Sequence, residues 1–164
     1  MSTATQITPN IGLTKESRAQ LWKTLNTLLA DEHLIYTKTR KAHWNITGIQ
    51  FYSLHEMLEN QYNELMIQAD EIAERVRMLG GEAIGTMAEF SEHTRLSENP
   101  GQNPPAEDML RSLLDDHEQL VAYLRNDVED SADEYNDEGT ADLLVGVMRM
   151  HEQMAWMIRS TLNA

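Results

Sequence analysis

Apolar residues recur along this chain at intervals of three and four, the spacing of helices that bury one face. From Lys15 to Asn45 the stripe is Leu21, Leu25, Leu28, Leu29, Ile35 and Tyr36, and Thr14 stands where an N-cap is expected. After Gly48 a second helix is predicted to start at Ser53, with Ser53 and Glu56 as a capping box and Tyr52 and Met57 as a hydrophobic staple. It carries Leu54, Leu58, Tyr62, Leu65, Ala69, Ile72, Val76 and Leu79 and stops at Gly80-Gly81. Residues Glu82 to Asn103 read as a long connection with one short helical piece around Thr86 to Glu92, punctuated by Pro100 and Gly101. A third long helix is predicted with Asn103 as N-cap and Pro104 at its first position, striped by Leu110, Leu113, Leu114, Leu120, Val121, Leu124 and Val128. Beyond the acidic stretch Asp133 to Glu138 and Gly139, a fourth bears Leu143, Leu144, Val147, Met154, Ala155, Ile158 and Leu162. No strand alternation and no internal repeat compete. The pattern predicts an all-α four-helix bundle over residues 14–164, with a long middle connection and a flexible tail at 1–13.

Composition narrows what such a bundle does. At 164 residues and 41% apolar content the chain suits one globular domain. It has no cysteine, which excludes disulfides, thiol catalysis and zinc-thiolate clusters. No signal peptide is evident and no apolar run approaches the about 18 residues of a membrane span, so a cytoplasmic location is expected. The net charge is −14, which repels nucleic acid and attracts cations. Neither end is basic: Lys15 and Arg18 are the only cations among the first 18 residues, and Arg159 the only one in the last ten.

Against that background His33, His43, His55, Glu59, Asp70 and Glu74 form the chemically informative set. His55 and Glu59 are four residues apart and share one helix face, and Asp70 and Glu74 repeat that spacing on the same helix. Imidazole with carboxylate is a ligand set suited to iron or zinc. At about 1.5 Å of rise per residue, His55 and Asp70 lie about 22 Å apart, whereas metal–ligand bonds are about 2 Å. One helix therefore cannot wrap both pairs around one ion. At roughly 100° per residue the four share a sector flanking the leucine stripe, and that flank also carries Met66, Ile67 and Ala73.

A two-fold axis meets both conditions. If two copies of this helix pack antiparallel about Asn63 to Leu65, His55 and Glu59 of one chain face Asp70 and Glu74 of the other, giving two identical sites. His43 ends the apolar stripe of the first helix and is expected to join His55. The competing layout, a di-iron centre inside one bundle, needs Glu three residues before His on two helices. Those places hold Ala30, Arg40, Tyr52, Phe90, Leu114 and Met148, so that layout is not expected.

The runs Lys38-Thr39-Arg40-Lys41-Ala42-His43-Trp44-Asn45, Phe51-Tyr52-Ser53-Leu54-His55-Glu56-Met57-Leu58-Glu59, Asp70-Glu71-Ile72-Ala73-Glu74-Arg75 and Leu79-Gly80-Gly81 resemble the Dps family, the mini-ferritins named as DNA-binding proteins from starved cells. The likeness covers nearly the whole chain. It implies a ferritin-like fold, a dodecameric shell and ferroxidase sites at two-fold interfaces that oxidise Fe(II), with hydrogen peroxide preferred to oxygen. A ferric mineral would be stored inside, protecting the cell against oxidative damage. Carried over, His43, His55 and Glu59 are ligands from one subunit and Asp70 and Glu74 from its partner, with room for two irons per site and zinc as a competing metal. Trp44 matches a tryptophan that intercepts stray oxidising equivalents, and Thr140-Ala141-Asp142 matches the lining of three-fold pores, with Asp142 drawing in iron. Glu59 departs from the more frequent aspartate and reaches one bond further.

The family's DNA binding commonly uses a basic terminal tail, which this chain lacks, so a nucleoid-protecting shell is the alternative function rather than the expected one. His33 reads as structural or pore-side; His93, His117 and His151 as surface or packing residues. The ten methionines and Trp156 read as core.

Overall fold

In a computed structural model, residues 8–163 are described, and every regular element among them is helical. The order is α1 (Lys15–Asn45), α2 (Phe51–Met78), short α3 (Met87–His93), α4 (Ala106–Glu129), a π-helical turn (Asp130–Glu134) and α5 (Glu138–Leu162). None of these helices is long and apolar enough to cross a membrane. The expected tail lies outside the described residues up to position 7. Beyond it, Leu13 already packs against the core.

Two antiparallel hairpins make the bundle. In the first, Arg18 and Trp22 near the start of α1 donate to Leu79 O at the end of α2, each at 3.2 Å, while His43 meets His55 at the other end. In the second, Arg125 bonds Glu152 and Arg159 bonds Glu118 across α4 and α5. The connection after α3 runs back along α1, where Lys38 and Lys41 donate to Ser97 O and Asn99 O. It is pinned by Asp31, fully buried, which accepts from Thr94 Oγ1 (2.9 Å), Arg95 N (2.6 Å) and Arg95 Nε (2.8 Å). Arg95 reaches on to Asp127 of α4 at 3.0 Å. The long crossing makes α4 run parallel to α2 and antiparallel to α1, the connectivity of ferritin-like bundles.

The leucine stripes meet on the inside: Leu21, Leu25, Leu28, Leu58, Leu65, Ile72, Leu120, Leu124, Leu144 and Val147 are all fully buried. Each such side chain contributes about 1.5–3 kcal/mol relative to exposure. Trp156 is not among them. It lies off the Val147-Met154-Ile158 stripe and is 60% exposed, so the expectation of a core residue is corrected.

Helix ends show where local signals hold. Thr14 Oγ1 accepts from Ser17 N at 3.0 Å, as its cap position predicts. Thr86 and Glu89 form a full capping box on α3. The Gly80-Gly81 stop is a Schellman motif: Gly80 N bonds Arg77 O, Gly81 N bonds Val76 O, each at 2.9 Å, and Gly80 takes φ +85°.

Two starts differ from expectation. α2 begins at Phe51, because Phe51 N already bonds Gly48 O; Ser53 lies inside the first turn and donates to Gln50 O instead of capping. α4 begins at Ala106 with Pro105 in the cap position rather than Asn103. The physical reason is the Pro104-Pro105 pair: a residue preceding proline is pushed to extended backbone, so Pro104 cannot open the helix.

Candidate metal centre

The α1–α2 hairpin brings His43 and His55 face to face, with rings stacked at 3.7 Å between centroids. Their hydrogen bonds are reciprocal. His43 Nδ1 lies 2.9 Å from His55 O, and His55 Nδ1 lies 2.9 Å from His43 O. A carbonyl only accepts, so each Nδ1 carries a proton, and Nε2 is the ring nitrogen left available to bind a metal. His43 is buried and His55 half-buried, with Phe51 packed against the latter. The main chain thus sets both the tautomer and the ring orientation, as ligating histidines require.

Glu59, one turn beyond His55, is exposed, and Tyr62 Oη approaches its Oε1 at 3.4 Å. The Tyr62 ring stands edge-on to His43 at 5.2 Å. Burial and the neighbouring Glu59 carboxylate push the Tyr62 phenol up, so it remains a protonated donor. Asp70 and Glu74 sit exposed further down α2 and do not join the histidines within the chain. Among the described residues of one chain, no three His, Asp or Glu side chains converge on a common point. The α2 flank they occupy also exposes Phe51, Tyr52, Met66 and Ile67.

Trp44 is 63% exposed at the end of α1, and the Arg40 guanidinium lies 4.8 Å from its ring centroid. Asp142 is exposed in the first turns of α5, remote from the histidine pair. Its neighbour Thr140 is buried, accepts from Arg75 Nε at 3.0 Å and donates to Asp137 at 2.5 Å. Asp137, within the acidic stretch Asp133 to Glu138, is itself buried and takes two bonds from Arg75. Burial opposes its ionisation, but Thr140 and Arg75 outweigh that and hold its carboxyl below the usual range.

His33 stacks on Phe90 at 3.9 Å and docks α3 on α1, a structural role. His93 stays at the exposed end of α3. The pair read as surface or packing residues, His117 and His151, is fully buried in the bundle core. His117 Nδ1 lies 2.8 Å from His151 Nδ1, and His151 Nε2 lies 2.7 Å from Glu32 Oε1, also fully buried. Burial, reinforced by His151, pushes His117 well below the ordinary histidine value, so it is neutral. This polar chain escaped the sequence reading because its members are far apart along the chain. The available signal was that His117 and His151 lie on the apolar stripes of their own helices.

The comparisons agree with this architecture. A family model described as a ferritin-like domain matches residues 22–164. A low temperature-induced protein of Nostoc sp. is 49% identical over 151 residues, covering 92% of this chain and 84% of that one. DNA protection during starvation protein 2 of Bacillus anthracis is 37% identical over 144 residues, 88% of this chain and 97% of the relative. Among solved structures, DpsC from Streptomyces coelicolor superposes with a TM-score of 0.91 at 34% identity, over 95% of this chain and 90% of that one. A four-helix bundle with this crossing connection, this histidine hairpin and these relatives belongs to the ferritin-like proteins, and within them to the Dps family.

Proposed function

We propose that this chain is a ferroxidase and iron-storage subunit whose Fe(II)-oxidising sites are completed by a second copy. The observation that carries this reading is the His43–His55 pair, locked by the main chain as two metal-ready imidazoles while Asp70 and Glu74 lie too far along α2 to join them. Antiparallel packing of two α2 helices would place the partner subunit's Asp70 and the partner subunit's Glu74 beside His43, His55 and Glu59. The exposed Phe51, Tyr52, Met66 and Ile67 supply apolar surface for that contact. Fe(II) is the substrate. Two Fe(II) held side by side supply both electrons that one hydrogen peroxide needs to become two hydroxides, so no hydroxyl radical is released. Zn(II), with the same taste for imidazole and carboxylate, would compete.

Two independent measurements test it. Loading with Fe(II) and peroxide, followed by size exclusion with iron detection, should show oxidised iron co-eluting with a shell of about 230 kDa, twelve subunits of 18.8 kDa. Stopped-flow oxidation should consume about two Fe(II) per peroxide; a ratio near one sinks the paired mechanism.

DNA protection in a relative's name does not transfer easily to this chain. A net charge of −14 per subunit opposes binding to phosphate backbone at physiological salt. Gel shifts at low and moderate salt should show no complex.

A further inference from the structure

Arg40 occupies an unusual place for a cation in so acidic a chain. Its guanidinium lies 4.8 Å from the Trp44 ring centroid, 5.5 Å from Tyr36 and 5.4 Å from Tyr62. One N–H donates to Tyr36 Oη at 2.7 Å, while the buried Nε has no partner. Among the described residues no carboxylate comes within ion-pair distance of it. The positive charge is therefore satisfied by three π-faces rather than by a counter-ion. Two of those rings, Trp44 and Tyr62, adjoin His43, by sequence and by a 5.2 Å edge contact.

We propose that Arg40 is a redox-tuning residue that holds Trp44 and Tyr62 in their reduced state beside the histidine pair. A cation over a ring is attracted to its electron-rich face. Removing one electron turns the attraction into repulsion between two positive charges, so the ring becomes harder to oxidise. The relevant event near iron is a single-electron one. Where only one Fe(II) is bound it would give one electron to hydrogen peroxide, yielding Fe(III), hydroxide and a hydroxyl radical. That radical takes an electron from a ring, becoming hydroxide, and the ring radical cation then loses a proton to water. Arg40 raises the potential of that second transfer, so the rings yield an electron to so strong an oxidant but are held reduced against weaker ones. Its biological meaning rests on the proposed iron chemistry, but the ring potential does not.

Trp156 supplies an internal reference: it is 60% exposed against 63% for Trp44, and no guanidinium stands over it among the described residues. Metal-free protein would be treated with azide radical, which takes one electron from indole or phenol and becomes azide. Peptide-resolved mass spectrometry would then give oxidation at Trp44 and Tyr62 relative to Trp156. Arg40→Gln should raise the Trp44 to Trp156 ratio about three- to tenfold. Arg40→Lys, which keeps the charge, should stay near the wild type. Equal ratios in wild type and Arg40→Gln would overturn the proposal. So would equal rises in both variants, because simple steric shielding predicts them. Failure of Fe(II) oxidation in the parent protein would bear on the ferroxidase reading alone, since no metal enters this assay.

Discussion

His43 and His55 each accept at the backbone carbonyl the proton that the other's Nδ1 donates, both at 2.9 Å, so each ring is anchored by the other residue's main chain. Replacing either one removes a candidate ligand and frees its neighbour's carbonyl. His55→Ala should weaken Zn(II) binding, read by calorimetry, by at least about tenfold and lower Fe(II) oxidation in parallel. His43→Ala should do the same and also cost about 1 kcal/mol of stability, since the lost bond lies in a buried setting. Unchanged Zn(II) affinity in both would remove the pair from the metal site.

The core chain Glu32–His151–His117 sets a pH dependence with a definite sign. His117 is held neutral in the fold by burial and by His151, whereas in the unfolded chain it titrates near 6.5. The unfolded state then binds more protons below that value. Stability should be level above pH 6.5 and fall as pH drops below it, by up to about 1.4 kcal/mol per unit from this group. Burial pushes the carboxyls of Asp116 and Asp127 upward, which acts in the opposite sense but from the carboxylate range. Urea midpoints between pH 6.5 and 5 therefore report the histidines, and because burial also lowers His33, with the same sign, the share of His117 is read from its variant. His117→Gln should flatten that slope; an unchanged slope would place its origin elsewhere.

Much of this fold is legible in the residues. The limits of α1 follow from Thr14 and the Leu21-to-Ile35 stripe, and the end of α2 from Gly80-Gly81, because cap chemistry and apolar period act locally and agree there. Ser53 and Glu56 have the residue types of a capping box, yet the chain closes its first α2 turn two residues earlier on Gly48 O. Residue type alone cannot say which of two adjacent starts a tight loop permits. The His43–His55 contact is readable because both residues flank one loop. Glu32, His117 and His151 are brought together only by the packing of three helices, and Arg40 looks like one basic residue in a basic run until Tyr36, Trp44 and Tyr62 surround it.

Close approach of α1 to the α2 stop leaves no room at Gly81. A Cβ there would lie 2.6 Å from Trp22 Cγ, in a ring tethered to Leu79 O. Gly81→Ala should destabilise by about 1–3 kcal/mol and shift the Trp22 fluorescence. Thermal and urea unfolding would read the loss; a neutral result would mean that the ring moves aside freely.

Arg75 ties α2 to α5 through Asp137 at 2.9 and 2.8 Å and through Thr140. Asp137→Asn should cost about 2 kcal/mol at neutral pH, the scale of hydrogen bonds to a charged group. The folded carboxyl lies below its usual range, so this contribution is present above the unfolded value and lost as pH falls through the folded one. The difference between Asp137→Asn and wild type should therefore shrink in acid. A constant difference would argue against ionisation of Asp137 as its source.

The distance along α2 between the histidine pair and the acidic pair has a genetic consequence. In the proposed arrangement each centre draws on two gene products, so two inactive alleles can rescue one another. A His55→Ala subunit retains Asp70 and Glu74, and a Glu74→Ala subunit retains His43 and His55. Their heterodimer holds one complete centre and one doubly defective one. Co-expressed in equal amounts with random pairing, the two should restore about a quarter of wild-type centres, where either allele alone restores none. Two alleles defective in the same half, His43→Ala with His55→Ala, should give no rescue.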